Sequence, residues 1–119
     1  MDDKRGKRVA DRIREEISDI LLRKIKDPRI GFVTITEVEV TGNLKFAKVF
    51  YSVIGTDEDR SLAVEGLASA LGFIKRELGS RLQLKYMPEV AFFYDSSLEQ
   101  GDRIEQILKD IRGQVSGED

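Results

Sequence analysis

Residues 62–82, LAVEGLASALGFIKRELGSRL, carry the reading that decides the fold. Leu62, Leu67, Ala70, Leu71, Ile74, Leu78 and Leu82 recur at helical spacing, so the segment reads as a helix with an apolar stripe. Ala70-Leu71-Gly72 falls in its middle. An interior glycine costs a helix roughly 1 kcal/mol against alanine, so one at this position calls for a reason. The spacing predicts a kink at Gly72 that lets another backbone come close. Two kinds of backbone qualify: a second helix of the same chain, or a nucleic acid. Lys75, Arg76, Arg81 and Lys85 follow the glycine and give the second choice a charge argument.

Working outward, residues from Lys7 to Ile25 place Val9, Ile13, Ile17, Ile20, Leu21 and Ile25 on one helical face. Asp27-Pro28 stops that helix, because the residue before proline is pushed out of the α region. Phe32 to Thr41 is a β-branched strand whose halves are out of phase, Val33 and Ile35 against Val38 and Val40. A β-bulge near Thr36-Glu37 reconciles them. Gly42-Asn43 is a hairpin signal leading into a second strand, Lys45 to Ile54. Thr56 or Asp57 caps the helix that contains the opening segment. Met87-Pro88 ends that region, and Glu89 to Asp95 is a third strand. Phe46, Phe50, Phe92 and Tyr94 read as sheet core. Ser97-Leu98-Glu99-Gln100 has the capping-box pattern of a last helix bearing Ile104, Ile107, Leu108 and Ile111. Residues 1–119 form a single domain, with 1–6 and 113–119 expected to be flexible.

Composition narrows the function classes. Of the 119 residues, 40% are hydrophobic and 35% charged, which fits a globular domain with a heavily charged surface. There is neither cysteine nor histidine, so Cys-His metal sites, Ser-His-Asp triads and Cys-His dyads are excluded. Glu37 and Glu39 share a strand face but lack a third ligand, which leaves carboxylate catalysis poorly supported. No metal or other cofactor is expected, and no apolar run is long enough to span a bilayer. The net charge of −2 hides an asymmetry: residues 1–29 and residues 73–87 each sum to +3. A local basic face can bind phosphate although the whole chain is acidic.

The order helix, strand, strand, helix, kink, helix, strand, final helix gives an α+β architecture, a three-stranded sheet with helices mainly on one face. It is the order of the type II KH fold. KH domains clamp nucleotides with a Gly-x-x-Gly loop; this chain has none, and Ala70-Leu71-Gly72 stands in its place.

Several segments together resemble the bacterial ribosome-binding factor A family. They are Lys26-Asp27-Pro28-Arg29 running into Val33-Thr34-Ile35-Thr36-Glu37-Val38-Glu39-Val40, the strand Leu44-Lys45-Phe46-Ala47-Lys48-Val49, and Ala70-Leu71-Gly72-Phe73-Ile74-Lys75-Arg76-Glu77-Leu78. Arg8-Val9-Ala10, Pro88-Glu89, Phe92 and Asp95 add to them. The resemblance spans roughly residues 5–112. Many members carry a longer basic tail, whereas this sequence ends in Gly117-Glu118-Asp119. It implies a non-catalytic, cytoplasmic ribosome biogenesis factor that binds the 30S subunit and 16S rRNA. Such a factor assists late small-subunit maturation and rRNA processing and matters most in the cold. It implies a monomer with no membrane partner and with assembly GTPases as further candidate partners. In the family an Ala-x-Gly kink replaces the KH loop, which carries over to Ala70, Leu71 and Gly72.

The candidate RNA-binding residues are therefore Ala70, Leu71, Gly72, Lys75, Arg76, Arg81 and Lys85, with Lys4, Arg5, Lys7, Arg8, Arg12 and Arg29 as a second set. Cations neutralise phosphates and release counterions, giving affinity that falls with salt. Plainer roles stay open. Gly72 can serve helix packing alone, Arg12 can pair with Glu16 one turn on, and Arg29 can bind a backbone carbonyl. A protein-interaction module using the sheet edge or an acidic face is the alternative function.

Overall fold

Helix α1 (Asp2–Arg23) lays Ile13, Ile17 and Ile20, all fully buried, against the sheet. The computed structural model describes residues 2–96, with side chains from residue 5 onward. The final helix expected from Ser97 lies outside the described residues. Of residues 1–6, expected to be flexible, those from Asp2 on belong to the opening turns of α1. Asp27 then caps a 3-10 turn, Pro28–Ile30, by accepting a hydrogen bond from the Arg29 amide at 2.9 Å.

Strands β1 (Val33–Val40) and β2 (Phe46–Val53) are antiparallel. Their register slips between Ile35 and Glu37, which makes Thr36 the extra residue of a β-bulge. The slip keeps both Ile35 and Val38 buried, which is why the sequence phases disagreed. The hairpin connection is a five-residue loop, residues 41–45, that contains Gly42-Asn43. The Leu44 amide donates to the Thr41 carbonyl, and Leu44 itself takes the left-handed conformation, φ 59°. Asn43 Oδ1 accepts from Thr41 Oγ1 and from the Lys45 amide, which stabilises that loop without a glycine at the strained position.

Helix α2 (Asp57–Leu82) opens with a capping box between Thr56 and Asp59 and ends at Gln83 in the left-handed region. It crosses over to β3 (Glu89–Tyr94), which pairs with β2 in parallel, giving the order β1-β2-β3. Both helices pack on the inner face of the sheet. Ala47, Val49 and Tyr51 of β2 and Val90 of β3 meet Ile74, Leu78 and Leu82 there. Phe92 and Tyr94 border this core, with Tyr51 edge-on to both rings. Phe46 and Phe50 do not join it. Phe46 is 52% exposed, and Phe50 stacks with Phe93 on the outer face, their centroids 5.9 Å apart. Strand alternation sends every second residue outward, and no described helix covers that side.

The break at Gly72 is absent. α2 runs unbroken for 26 residues, so the two helices expected around Ala70-Leu71-Gly72 are one. A glycine flanked by more than two turns on each side weakens a helix without ending it. Nor does Gly72 pack against another described element: among the described residues a Cβ there would meet only the Arg76 guanidinium, at 3.4 Å. The close approach belongs to Gly66. A Cβ at that position would stand 2.6 Å from Ile30 Cγ2 and 3.1 Å from Arg29 Cβ, so the 3-10 turn lies directly on the helix.

Candidate nucleic-acid interface

The basic residues divide into those the fold uses and those it leaves open. Arg81 is in the first group. Its guanidinium bonds Glu16 at 3.0 Å and Asp19 at 2.7 Å, tying the last turn of α2 to α1. Arg12 reinforces the same junction by donating to the Arg81 carbonyl at 2.9 Å, where the end of a helix leaves acceptors without partners. Its expected pairing with Glu16 is loose, at 3.8 Å. Arg29 grips Asp27 through two nitrogens, at 2.7 and 3.1 Å. Lys75 pairs with Glu89 at 2.6 Å. These four were expected to bind RNA, and each is engaged within the chain.

The pairing has a pH signature. The hydrogen bond from Arg81 holds the Asp19 carboxyl below its ordinary 3.8, and that from Arg29 lowers Asp27 likewise. In the acid range the unfolded chain therefore binds more protons than the folded one. This stability is complete above the ordinary carboxylate pKa and is lost as pH falls through the lowered values. The melting temperature should drop below about pH 5, and less steeply in Asp19→Asn with Asp27→Asn. Equal slopes would mean that these pairs contribute nothing.

Arg5, Lys7, Arg8, Lys45, Arg76 and Lys85 make no ion pair among the described residues. Arg76 is exposed one turn beyond Gly72, itself exposed; Ala70 and Leu71 are half-buried. The side chain of Lys4 lies outside the described residues. Arg5, Lys45 and Lys85 converge on a groove of about 500 Å³ at one end of the molecule. It lies between the start of α1, the β1–β2 loop and the segment joining α2 to β3. Val9, Leu84, Met87 and Pro88 supply apolar walls, Tyr86 stands at the rim, and none of the described residues lining it is acidic. The parallel pairing of β2 and β3 creates this meeting point, since both strands must begin at the same end. The Glu89 amide accordingly donates to the Lys45 carbonyl at 2.8 Å. Sequence reasoning missed Lys45 and Tyr86. The signal was topological: a parallel third strand returns its entry loop to the hairpin tip.

Among the described residues no group of three acidic side chains is arranged to hold a metal ion, and Glu37 and Glu39 stay exposed on the outer face. No described helix is long and apolar enough to cross a membrane.

The family model of ribosome-binding factor A matches residues 5–108. The chain belongs to that family. It is 51% identical over 113 residues to the ribosome-binding factor A of Syntrophobacter fumaroxidans, an alignment covering 93% of this chain and 97% of the relative. With that of Geobacter sulfurreducens it shares 47% over 115 residues, 97% and 98% of the two chains. A solution structure of a family protein from Thermotoga maritima superimposes with a TM-score of 0.67 at 32% identity, over 78% of this chain and 89% of that one. The crystal structure of ribosome-binding factor A from Thermus thermophilus gives 0.64 at 16% identity, over 75% and 94%. A homology model of Thermus thermophilus ribosome-binding factor A, fitted into the cryo-EM map of its 30S complex, gives 0.60, also at 16% identity, over 72% and 90%. The fold of ribosome-binding factor A is KH-like, and this α+β domain shares it.

Proposed function

We propose that this chain is a non-catalytic, cytoplasmic assembly factor that binds the small ribosomal subunit through the 16S rRNA backbone. In that role it assists late subunit maturation and rRNA processing, above all in the cold, when misfolded RNA escapes slowly. It acts as a monomer alongside assembly GTPases. The observation that carries the reading is the convergence of Arg5, Lys45 and Lys85 on one groove, with no acidic side chain among its described lining residues, in a chain of net charge −2. Clustering of unpaired cations is an electrostatic footprint for phosphate, and contacts of this kind position RNA without reading its sequence. The Thermus relative fitted into a 30S map supports the choice of partner.

Co-sedimentation with isolated small subunits across a salt series tests it. Binding should weaken steeply with salt, its logarithm falling by roughly 0.7 to 0.9 per phosphate contact for each decade. A shallow slope would favour a second reading, a protein-interaction module. Exposed Phe46 and Phe93 on the outer sheet face are the observation behind that alternative.

A further inference from the structure

Tyr86 is 78% exposed, and Leu84 and Met87 beside it are also exposed. A phenol ring held in water gains the fold almost nothing, because burial is what stabilises an aromatic side chain. The ammonium of Lys85 sits over the ring, 5.6 Å from its centroid, and most of the residue's surface stays open even so. The groove behind it combines two demands that few ligands meet together. Its rim carries Arg5, Lys45 and Lys85 and no acidic side chain among the described residues, which favours an anion. Its walls are apolar and carry an aromatic edge, which requires a flat, weakly hydrated group attached to that anion. An acidic peptide meets only the first demand and an apolar helix only the second. A nucleotide meets both.

We propose that this groove receives an unpaired nucleobase of RNA, stacked on Tyr86, with its flanking phosphates on Arg5, Lys45 and Lys85. The proposal rests on the RNA-binding reading above and adds a requirement for single-stranded RNA. In a duplex the bases are already stacked on one another and present no free ring face, whereas splayed bases stack readily on aromatic side chains. The groove volume of about 500 Å³ leaves room for a base and part of its sugar.

The test compares a fluorescently labelled single-stranded oligoribonucleotide with a duplex of the same sequence. Each is titrated with the wild-type chain, Tyr86→Ala and Tyr86→Phe. Because Tyr86 projects from the surface, neither variant should disturb folding, and unchanged circular dichroism checks this. Tyr86→Ala should weaken single-strand binding about tenfold or more while Tyr86→Phe retains it. The salt slope should stay the same, since no phosphate contact is removed. Duplex affinity should not respond to Tyr86. Equal single-strand affinity of Tyr86→Ala and the wild type overturns the proposal, as does an equal loss on the duplex. A loss confined to intact subunits, with none on the oligonucleotide, also overturns it and gives the groove to a ribosomal protein. Wild-type co-sedimentation with 30S subunits is scored separately. If it fails, the proposed function falls while the oligonucleotide arms still decide the groove.

Discussion

Replacing Arg5, Lys45 and Lys85 together by glutamate should lower affinity for isolated small subunits by roughly 100-fold or more at physiological salt. In the free protein these side chains hold no ion pair with the described residues, and Lys85 makes only a loose contact with the exposed Tyr86 ring, 5.6 Å from its centroid. All three are exposed and have no carboxylate partner among the described residues. Removing them therefore costs no ion pair among the described residues and little packing, and the melting temperature should move by no more than a few degrees. Each lost phosphate contact removes a released counterion, and each new carboxylate repels the backbone in its place. The log-log salt slope should accordingly flatten by about 2 to 3. Arg81→Glu gives the opposite pattern. It sets a carboxylate against Glu16 and Asp19 at the α1–α2 junction, so the melting temperature falls first and any loss of binding follows the loss of fold. A triple variant that binds as tightly as the wild type, with an unchanged salt slope, would remove this end of the molecule from the RNA surface.

The contrast between Arg81 and Lys85 shows where sequence reading succeeds and where it stops. The first helix, the order of the three strands, the bulge at Thr36 and the inward face of α1 are local or periodic properties. They are written in β-branching, phase and spacing, and the structure follows them. The partners of a charged side chain are not local. Arg81 stands in a run of basic residues in the sequence, yet Glu16 and Asp19 lie more than sixty positions away and reach it only when α1 packs on α2. The same distance hides the groove, because residues 5, 45 and 85 belong to three different elements and form no cluster in the chain. Aromatics of β2 raised a related difficulty. Phe46 and Phe50 have the residue type of a core strand, and only the placement of both helices on one side leaves them outside it. Gly72 was visible as an anomaly, but whether a helix breaks at a glycine depends on the turns around it, and here those turns are long enough to carry the helix through.

Two glycines of α2 should respond to the same substitution with opposite signs. Gly66→Ala should destabilise the fold by about 1–2 kcal/mol, a drop of roughly 3–8 °C in melting temperature. Alanine gains about 1 kcal/mol in helix propensity at either site. At Gly66 that gain is outweighed, because the new methyl would stand 2.6 Å from Ile30 Cγ2 and 3.1 Å from Arg29 Cβ. Neither atom is the free end of a flexible side chain. Ile30 is itself buried, and Arg29 is anchored to Asp27, so the 3-10 turn has to lift off the helix. Ile30→Ala removes the closer atom. The two substitutions should therefore couple, the second costing at least 0.5 kcal/mol less in the presence of the first. Gly72→Ala meets only the mobile Arg76 guanidinium at 3.4 Å and should stabilise the helix by about 0.5–1 kcal/mol. Among the described residues nothing but Arg76 stands near Gly72, so the surface there is open to an RNA strand on the proposed reading. The stabilised Gly72→Ala protein should accordingly bind small subunits less well, because a methyl beside Arg76 holds a phosphate away. If it binds equally well, RNA does not approach there. If it destabilises the fold as Gly66→Ala does, the helix does not run unbroken through residues 70–72.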